Sequence, residues 1–400
     1  MTSRMSTGRS LRLCPPRPVL VSDLPTPSLL VDTARLAANL DRMQARADAH
    51  GVALRPHAKT HRTAEIARMQ SDGGARGLTV ATLDEAEAFA AAGFRDLRLA
   101  TPVAGPQKLI RIGALLDAGA RVTFSVDTVA GARLASEAFA GRPEAVGVLV
   151  EVDTGQHRCG VPPSEAVAVG TAVAALPGLR LVGVLTHGGH SYTGPEPGET
   201  RRDALVRAMR GERDGLLDAA ARLGAAGLLD PATAEVSLGS TPSLAVFEPA
   251  EAAGFRVTEW RPGAYVFGDA QQVALGATSL RDCALTVVST VVSKRRFDDG
   301  TEQVVVDAGK KILTSDTGAG VDGFGTVLYS PRTMVANMHA RVARLSEEHG
   351  TVEMLGGGIY DVGDPVVVVP NHACVVVATR RELFAVEGDE VVGVWRVLAR

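Results

Sequence analysis

Between about residues 33 and 265, short runs of apolar, β-branched residues alternate with longer amphipathic stretches rich in Ala and Leu. Each short run ends in polar residues or glycine, as a buried strand does where it leaves a sheet. The pattern predicts eight strands, at residues 53–55, 77–80, 97–100, 122–126, 146–152, 181–185, 235–238 and 257–260. Helices are expected at residues 33–50, 63–70, 84–92, 106–118, 164–175 and 199–223.

Eight strand–helix units in about 230 residues predict a TIM-type (β/α)8 barrel. The rival is a doubly wound parallel sheet. That fold usually has fewer strands and carries a glycine-rich fingerprint in its first strand–helix turn. Here the first strand runs into RPHAKTHR, which has no GxGxxG motif, so the barrel is favoured.

The pattern changes after about residue 275. Segments such as LTVVSTVVSKRR and DPVVVVPNHACVVVAT are β-branched and are separated by turns, which predicts a small all-β domain. The one helix candidate there covers residues 331–338. We therefore divide the chain into a flexible arm (1–22), a barrel domain (23–270) and a β domain (271–400).

Composition and charge limit the core, the partners and the location that we expect for this protein. Hydrophobic residues make up 46% of the chain and aromatic residues 4%, so the core must consist mainly of Ala, Val and Leu. The net charge of −3 gives no basic surplus, so we expect no nucleic-acid partner. We expect no membrane span and no secretory signal, since no long apolar run is present. The four cysteines follow no disulfide pattern, which favours a reducing, cytoplasmic setting.

Barrel enzymes hold their chemistry at the carboxyl ends of the strands. Strand one ends at Lys59, between two histidines, and strands seven and eight end in small-residue loops (GSTP and RPGAY). Such loops commonly bind phosphate through backbone amides. A lysine in the same cleft suits Schiff-base chemistry, so the combination points to pyridoxal phosphate. The alternative is that Lys59 is an ordinary solvated lysine.

The motif PHAKTH resembles the cofactor-lysine motif of fold-type III pyridoxal-phosphate enzymes, in the branch of D-serine dehydratases and D-threonine aldolases with an alanine racemase N-terminal domain. EVDTGQHRCGV, THGGHSY, SLGSTPS and RPGAYVFGD match the branch in order, over roughly residues 23 to 395. The cofactor residues implied by this resemblance are Lys59, Arg158, His187, Tyr192, Ser240, Thr241, Arg261, Gly263, Ala264 and Tyr265. Lys59 would form the Schiff base, the two arginines would contact the pyridoxal ring, and the loop residues would hold the phosphate.

Purely structural roles stay open as alternatives for several of these residues. Arg158 and Arg261 would serve equally well as structural ion-pair partners, and Tyr192 as a packing aromatic. Ser240 and Thr241 are also suitable helix caps, which is compatible with a phosphate site.

His372 and Cys374 lie two residues apart in the β domain. On a strand they would face the same side, and both are good zinc ligands, although two ligands alone are a weak signal. The resemblance implies a His-x-Cys metal pair at this place in D-serine dehydratases, holding Zn²⁺ or another divalent ion such as Mn²⁺. Related aldolases carry an aspartate as the second ligand, so Cys374 favours the dehydratase.

The resulting prediction is a lyase that converts small D-3-hydroxyamino acids such as D-serine to a 2-keto acid and ammonia. The alternative is D-threonine aldolase-type retro-aldol cleavage to glycine and an aldehyde. A non-catalytic pyridoxal-phosphate carrier and a racemase are further options, and the metal pair argues against both. The resemblance also implies a homodimer. Asp307, Lys311 and His349 belong to recurring patterns of the branch but receive no role.

Overall fold

The computed structural model describes residues 18–354 and 359–399. Its strands are β1 (Ser28–Asp32), β2 (Ala53–Leu54), β3 (Leu78–Val80), β4 (Asp96–Pro102), β5 (Arg121–Val126), β6 (Val146–Glu151), β7 (Leu179–Leu185), β8 (Glu235–Leu238), β9 (Glu251–Ala252), β10 (Phe255–Arg256), β11 (Glu259–Trp260), β12 (Leu285–Arg296), β13 (Glu302–Val306), β14 (Thr326–Ser330), β15 (Val335–Ala336), β16 (Ala340–Leu345), β17 (Gly350–Met354), β18 (Pro365–Val369), β19 (Glu382–Glu387) and β20 (Glu390–Arg396). Its helices are α1 (Thr33–Ala49), α2 (Ala64–Asp72), α3 (Leu83–Ala91), α4 (Pro106–Asp117), α5 (Val129–Phe139), α6 (Ala166–Ala175), α7 (Arg201–Ala225), α8 (Thr241–Leu244), α9 (Ala270–Leu275), α10 (Lys310–Leu313) and α11 (Ala373–Ala378). None of the helices in the described residues is both long and apolar enough to cross a membrane.

Eight parallel strands form the first domain, in the order β2-β11-β8-β7-β6-β5-β4-β3. A parallel bridge between His57 and Thr79 joins the two ends of this order and curls the sheet into a barrel. The predicted (β/α)8 architecture is thereby confirmed. Each predicted strand is present, β8 with the predicted bounds and the others with shifted ends. The strand interiors are apolar on both faces, as in β6, because helices cover the outside of the barrel.

The amino-terminal end of the barrel is filled by a buried ion network. Glu259 accepts hydrogen bonds from Arg55 Nε at 2.7 Å and from Arg98 Nη1 at 2.5 Å. Arg55 also pairs with Asp96, and Arg98 with Glu235. The network occupies the end opposite the strands' carboxyl termini, and barrel enzymes hold their chemistry at those carboxyl termini.

The second domain is a mainly antiparallel sheet, in the order β15-β14-β18-β12-β1-β19-β20, with β13, β17 and β16 continuing from β12. It contains β1, which lies inside the range 23–270 that we assigned to the barrel. Leu30 of β1 pairs with Thr286 on one side and with Phe384 on the other. The β domain therefore takes one strand from the start of the chain, because SLLV buries its side chains best between two strands of that sheet.

Two other expectations change. The proposed helix at residues 331–338 is a turn followed by β15, and Met334 has a φ of +54°, which a helix does not allow. Residues 1–17 of the expected arm lie outside the described residues. Its last part is held by the β domain, since Val391 N–H donates to Val19 O at 2.8 Å and Val21 N–H to Asp389 O at 2.9 Å.

Candidate active site

A cavity of about 620 Å³ lies at the carboxyl ends of the barrel strands, where the β domain faces them. This volume is in the range of small-molecule sites. The sequence-predicted residues on its wall are Lys59, Arg158, His187, Tyr192, Ser240, Thr241, Arg261, Gly263, Ala264, His372 and Cys374. The cavity thus brings the lysine, the two loops and the His-x-Cys pair together.

Lys59 lies in the 3-10 turn Ala58–Thr60, directly after β2. The turn is tied to the end of β11, because His57 N–H donates to Pro262 O at 2.8 Å. Lys59 is half-buried on the cavity wall, and none of the described residues forms an ion pair or hydrogen bond with its amine. This placement does not fit an ordinary solvated lysine and leaves Nζ available to a ligand.

Two loops face Lys59 with small residues and hydroxyls. Ser240 caps α8, with Ser240 Oγ accepting the N–H of Ser243, so its predicted capping role is confirmed. Gly263 precedes the 3-10 turn Ala264–Val266, and a Cβ on it would lie 2.6 Å from Thr60 Oγ1. Gly239 has a φ of +145°, which favours glycine. Together the loops present backbone amides and hydroxyls, a donor set suited to an anion.

Tyr265 is the one predicted cofactor residue that the cavity wall lacks. Its backbone N–H donates to Thr241 Oγ1 at 3.1 Å, so the main chain belongs to the loop. Its side chain points the other way, and its hydroxyl accepts a hydrogen bond from Gln70 Nε2 at 2.9 Å. The ring is buried in the core shared by α1, α2 and the β domain, and the part of Tyr265 in cofactor binding stays a prediction.

The loops are supported from below by Glu212, a buried residue of α7. Glu212 Oε1 accepts the N–H groups of Gly188 at 2.8 Å and Gly239 at 3.0 Å. Oε2 accepts the hydroxyl of Ser243 at 2.6 Å. Burial raises the pKa of Glu212. One carboxyl group therefore fixes the ends of β7 and β8 relative to each other.

Arg261 and Arg158 differ in setting. Arg261 is buried, and its guanidinium donates to Ser237 Oγ and Thr186 O. Burial lowers the pKa of Arg261 to about 10. Arg158 is exposed at the rim. Within the described residues neither forms an ion pair, which argues against the structural ion-pair alternative.

The histidines near Lys59 are held neutral. Burial, followed by the positive charges of Lys59 and Arg158, lowers the pKa of His187 to about 3. His187 Nδ1 lies 3.4 Å from Gly239 O and can donate to it. Burial and the charge of Lys59 also hold the pKa of His57 well below its ordinary value. A neutral imidazole here can accept or donate a hydrogen bond without adding charge to the cavity.

His372 and Cys374 converge, but not for the reason expected. They do not lie on a strand: His372 immediately precedes α11, and Cys374 is in its first turn. His372 Nδ1 lies 2.6 Å from Asp316 Oδ2, and Cys374 Sγ lies 3.1 Å from Thr60 Oγ1. The two side chains are close enough for each to shift the pKa of the other.

The two side chains shift each other's pKa in opposite directions. Burial lowers the pKa of His372, but Cys374, Asp269 and Asp316 outweigh it and raise the pKa to about 9, so His372 must give up a proton before it can bind a metal. Burial raises the pKa of Cys374, but His372, Lys59 and Thr60 outweigh it and lower the value. A thiolate is the form of cysteine that binds metal. Tyr192 lies on the wall of the same cavity as this pair, and burial, followed by the negative charges of Cys374 and Asp269, raises its pKa. Tyr192 is therefore more than a packing aromatic.

Sequence reasoning missed two acidic groups of the cavity. Glu151, at the end of β6, accepts a hydrogen bond from Ser125 Oγ at 2.6 Å, and burial raises its pKa. It begins the motif EVDTGQHR, so its position at a strand end was a usable signal. Asp316 follows α10 in a loop of the β domain, and no spacing in the sequence links it to His372.

The three residues without a predicted role lie away from the cavity wall. Asp307 joins the start of the chain to the β domain, because it accepts hydrogen bonds from Thr26 Oγ1 at 2.6 Å and Thr290 N–H at 2.8 Å. Lys311 forms exposed ion pairs with neighbouring glutamates. The carbonyl of His349 accepts a hydrogen bond from the N–H of Ser346 at a turn.

Comparison with known proteins agrees with both domains. Residues 31–271 match the family described as alanine racemase, N-terminal domain, and residues 284–386 match the putative serine dehydratase domain. The chain is 35% identical to D-threo-3-hydroxyaspartate dehydratase of Delftia sp. (strain HT23), over 94% of this chain and 97% of that protein. It is 33% identical to D-threonine aldolase of Arthrobacter sp, over 94% and 92%.

Solved structures give the same picture. The Delftia dehydratase superposes with a TM-score of 0.84 at 34% identity, covering 95% of this chain and 99% of that one. A variant of that enzyme has been solved in a metal-free form. Alanine racemase from Streptomyces lavendulae shares the fold, with a TM-score of 0.61 at 21% identity. The chain belongs to the alanine racemase N-terminal domain family, in the branch of fold-type III pyridoxal-phosphate enzymes that also carry a serine dehydratase-like domain.

Proposed function

We propose that this protein is a pyridoxal-phosphate-dependent lyase that eliminates water from small D-3-hydroxyamino acids such as D-serine, giving a 2-keto acid and ammonia. The observation that carries the proposal is the meeting of Lys59 with His372 and Cys374 in one cavity. A racemase would need Lys59 but not the His-x-Cys pair. The relatives named as dehydratase and aldolase support the lyase class.

The cavity residues fit pyridoxal phosphate. Lys59 offers an amine without a protein partner, and the two loops offer amides and hydroxyls for a phosphate group. Gly263 and Gly239 allow these loops to pack closely, because a Cβ would lie 2.6 Å from Thr60 Oγ1 or 2.8 Å from the backbone nitrogen of Arg261. When bound, the cofactor would supply an electron sink for charge developing at the substrate Cα.

The His-x-Cys pair fits a divalent ion such as Zn²⁺ or Mn²⁺. The described residues contain no group of three or more His, Cys, Asp or Glu arranged around a metal position, so the pair would leave room for water and substrate oxygen. Such an ion would act as a Lewis acid on the substrate hydroxyl. Asp316 accepts a hydrogen bond from His372 Nδ1, which leaves Nε2 as the ligand atom.

The roles of the remaining residues follow from their positions. Lys59 Nζ would take the proton from Cα as general base. His187 and His57 are neutral, so they would add no positive charge around Lys59 Nζ and would not oppose its uptake of the proton. Arg261 would present a guanidinium fixed by Ser237 and Thr186 to the cofactor ring. The wall of the β domain would shield the site from bulk water.

Retro-aldol cleavage is the second candidate, because an aldolase is among the relatives that match over nearly the whole chain. The two reactions would use the same lysine and metal and differ in whether the Cα–H or the Cα–Cβ bond breaks. Cys374 favours the dehydratase. The homodimer implied by the resemblance and the cytoplasmic location inferred from the cysteine pattern stay predictions.

Product analysis separates the two reactions. The purified protein, supplied with pyridoxal phosphate and Zn²⁺, is incubated with D-serine and with D-threonine, and keto acid, ammonia, glycine and acetaldehyde are quantified. We expect keto acid and ammonia in equal amounts. Glycine and acetaldehyde from D-threonine would move the assignment to the aldolase.

Lys59→Ala is the matched control for cofactor chemistry. We expect it to lose both the visible absorbance of the lysine-bound cofactor and all turnover, because no other described lysine lies on the cavity wall. A variant that keeps the absorbance band would contradict the assignment of Lys59.

A further inference from the structure

The two halves of the cavity belong to different domains. Lys59 and the small-residue loops are part of the barrel, whereas His372 and Cys374 start α11 in the β domain. For any reaction that uses both halves, the distance between them must be held closely. The contacts that fix α11 against the barrel are therefore part of the site.

One buried side chain makes such a contact directly. Asp269 is 0% exposed and lies five residues after Ala264 of the loop. Its Oδ1 accepts the N–H of Gln272 at 2.8 Å, which starts α9. Its Oδ2 accepts the N–H of Ala373 at 3.0 Å, and Ala373 is the residue between His372 and Cys374.

The neighbouring backbone hydrogen bonds between the two domains stop before His372. Ala270 N–H donates to Pro370 O at 2.9 Å, and Gln271 N–H to Asn371 O at 3.3 Å. The side chain of His372 forms no cap for α11. Asp269 thus supplies the missing cap from the barrel side, and its bond is the one in this series that reaches beyond His372.

We propose that Asp269 is a positioning residue that holds His372 and Cys374 in place opposite Lys59. The inference rests on the proposed function, in that it takes the His-x-Cys pair to bind a divalent ion. Asp269 would touch neither metal nor substrate. It would act by fixing the first turn of α11, and its loss would release the pair while leaving the phosphate loops in place.

A carboxylate suits this role for a simple reason. Two N–H groups from different helices point at the residue, so it must offer two acceptors. Asparagine offers one, and its amide would face the second N–H donor to donor. Asp269→Asn should therefore break one of the two bonds at almost unchanged volume. Losing a group that orients metal ligands typically weakens metal binding roughly 10–100-fold.

A second variant removes the other partner of the same bond. Ala373→Pro eliminates one N–H at the first position of α11, where proline is tolerated. His372 has φ −140° and ψ 97°, the extended conformation that a following proline requires. If the bond is the cause, Ala373→Pro should weaken metal binding like Asp269→Asn, and the double variant should be no weaker than the single ones.

The experiment titrates the full-length protein with Mn²⁺ and measures free Mn²⁺ by electron paramagnetic resonance. Cofactor absorbance and thermal unfolding are recorded for the same samples. Asp282→Asn is the matched control. Asp282 lies in the same connection between the barrel and the β domain as Asp269, and the substitution removes its ion pair with Arg42. We expect roughly 10–100-fold weaker Mn²⁺ binding for Asp269→Asn. We expect unchanged cofactor absorbance for it and wild-type behaviour for Asp282→Asn.

The outcomes separate this inference from the proposed function. If the wild type binds no Mn²⁺, or His372→Ala binds it equally well, the metal site itself is wrong and the inference falls with it. If His372→Ala abolishes binding but Asp269→Asn and Ala373→Pro do not weaken it, the inference alone is overturned. An equal loss of metal and cofactor binding would show a general structural role and would also overturn it. If Asp269→Asn does not fold, Ala373→Pro decides by the same criteria.

Discussion

Replacing Glu259 by glutamine tests the buried ion network at the amino-terminal end of the barrel. Glu259 is 1% exposed and accepts hydrogen bonds from two guanidinium groups that are themselves buried. Removing one partner of a buried ion pair typically destabilises a protein by about 3–5 kcal/mol, because the remaining charge is left uncompensated. Arg55 keeps Asp96 and Arg98 keeps Glu235, so we expect a loss near 3 kcal/mol.

The pKa of Glu259 gives an independent value. Burial raises it, but Arg98 and Arg55 outweigh burial and lower it from 4.5 to about 2. This difference corresponds to about 3 kcal/mol of stability. Since the folded-state pKa is the lower one, the contribution is present above pH 4.5 and is lost as the pH falls toward 2.

The assay is urea unfolding of the wild type and Glu259→Gln at pH 7 and at lower pH, with the free energy of unfolding compared. Glu248→Gln is the control, since Glu248 forms an exposed ion pair with Arg210 and should change stability by less than about 1 kcal/mol. The difference between wild type and Glu259→Gln should shrink as the pH falls below 4.5. Equal free energies of unfolding for the wild type and Glu259→Gln at pH 7 would refute the reasoning.

Two further predictions concern the strands and the metal pair. A Cβ on Gly183 would clash with a backbone oxygen of the neighbouring strand, so Gly183→Ala should lower the unfolding temperature by several degrees. Gly141 has open space around it, so Gly141→Ala should leave the unfolding temperature unchanged. An unchanged melting curve for Gly183→Ala would contradict the strand register. Asp316→Asn should weaken Mn²⁺ binding roughly 10–100-fold, because the proton on His372 Nδ1 loses its ionic acceptor. Asp322→Asn, on an exposed ion pair, is the control, and equal affinity of both variants would exclude this orienting role.

The barrel was predictable because its information is local. Each strand is a short apolar run, and several of the helices, such as α2 and α4, are amphipathic. The helix α5 (Val129–Phe139) was not predicted, although Thr128 caps its start in the same way that Thr82 and Thr200 cap α3 and α7. The places of Lys59 and of both loops on the cavity wall followed from their positions at strand ends.

The features that were missed depend on contacts between distant residues. The segment VVVVPNHACVVVAT has the composition of strands, yet residues 373–378 are helical, because Asp269 caps them from about 100 residues away. Asp316 reaches His372 across a loop that no periodicity describes. The Tyr265 side chain turned away from the cavity because its ring is better buried against the helices than exposed to the loop.

The position of β1 has a consequence for how the chain is made. Leu30 pairs with Phe384, and these residues are 354 positions apart (384 − 30). At roughly 5–20 residues per second, a ribosome needs roughly 20–70 s to add that length. Both edges of β1 lack a partner until β12 is made, and the edge that pairs with β19 lacks one through all of this time, while the barrel can already fold. A nascent chain that stalls before residue 382 would expose the edge to other strands, so β1 is the segment where we expect aggregation to begin.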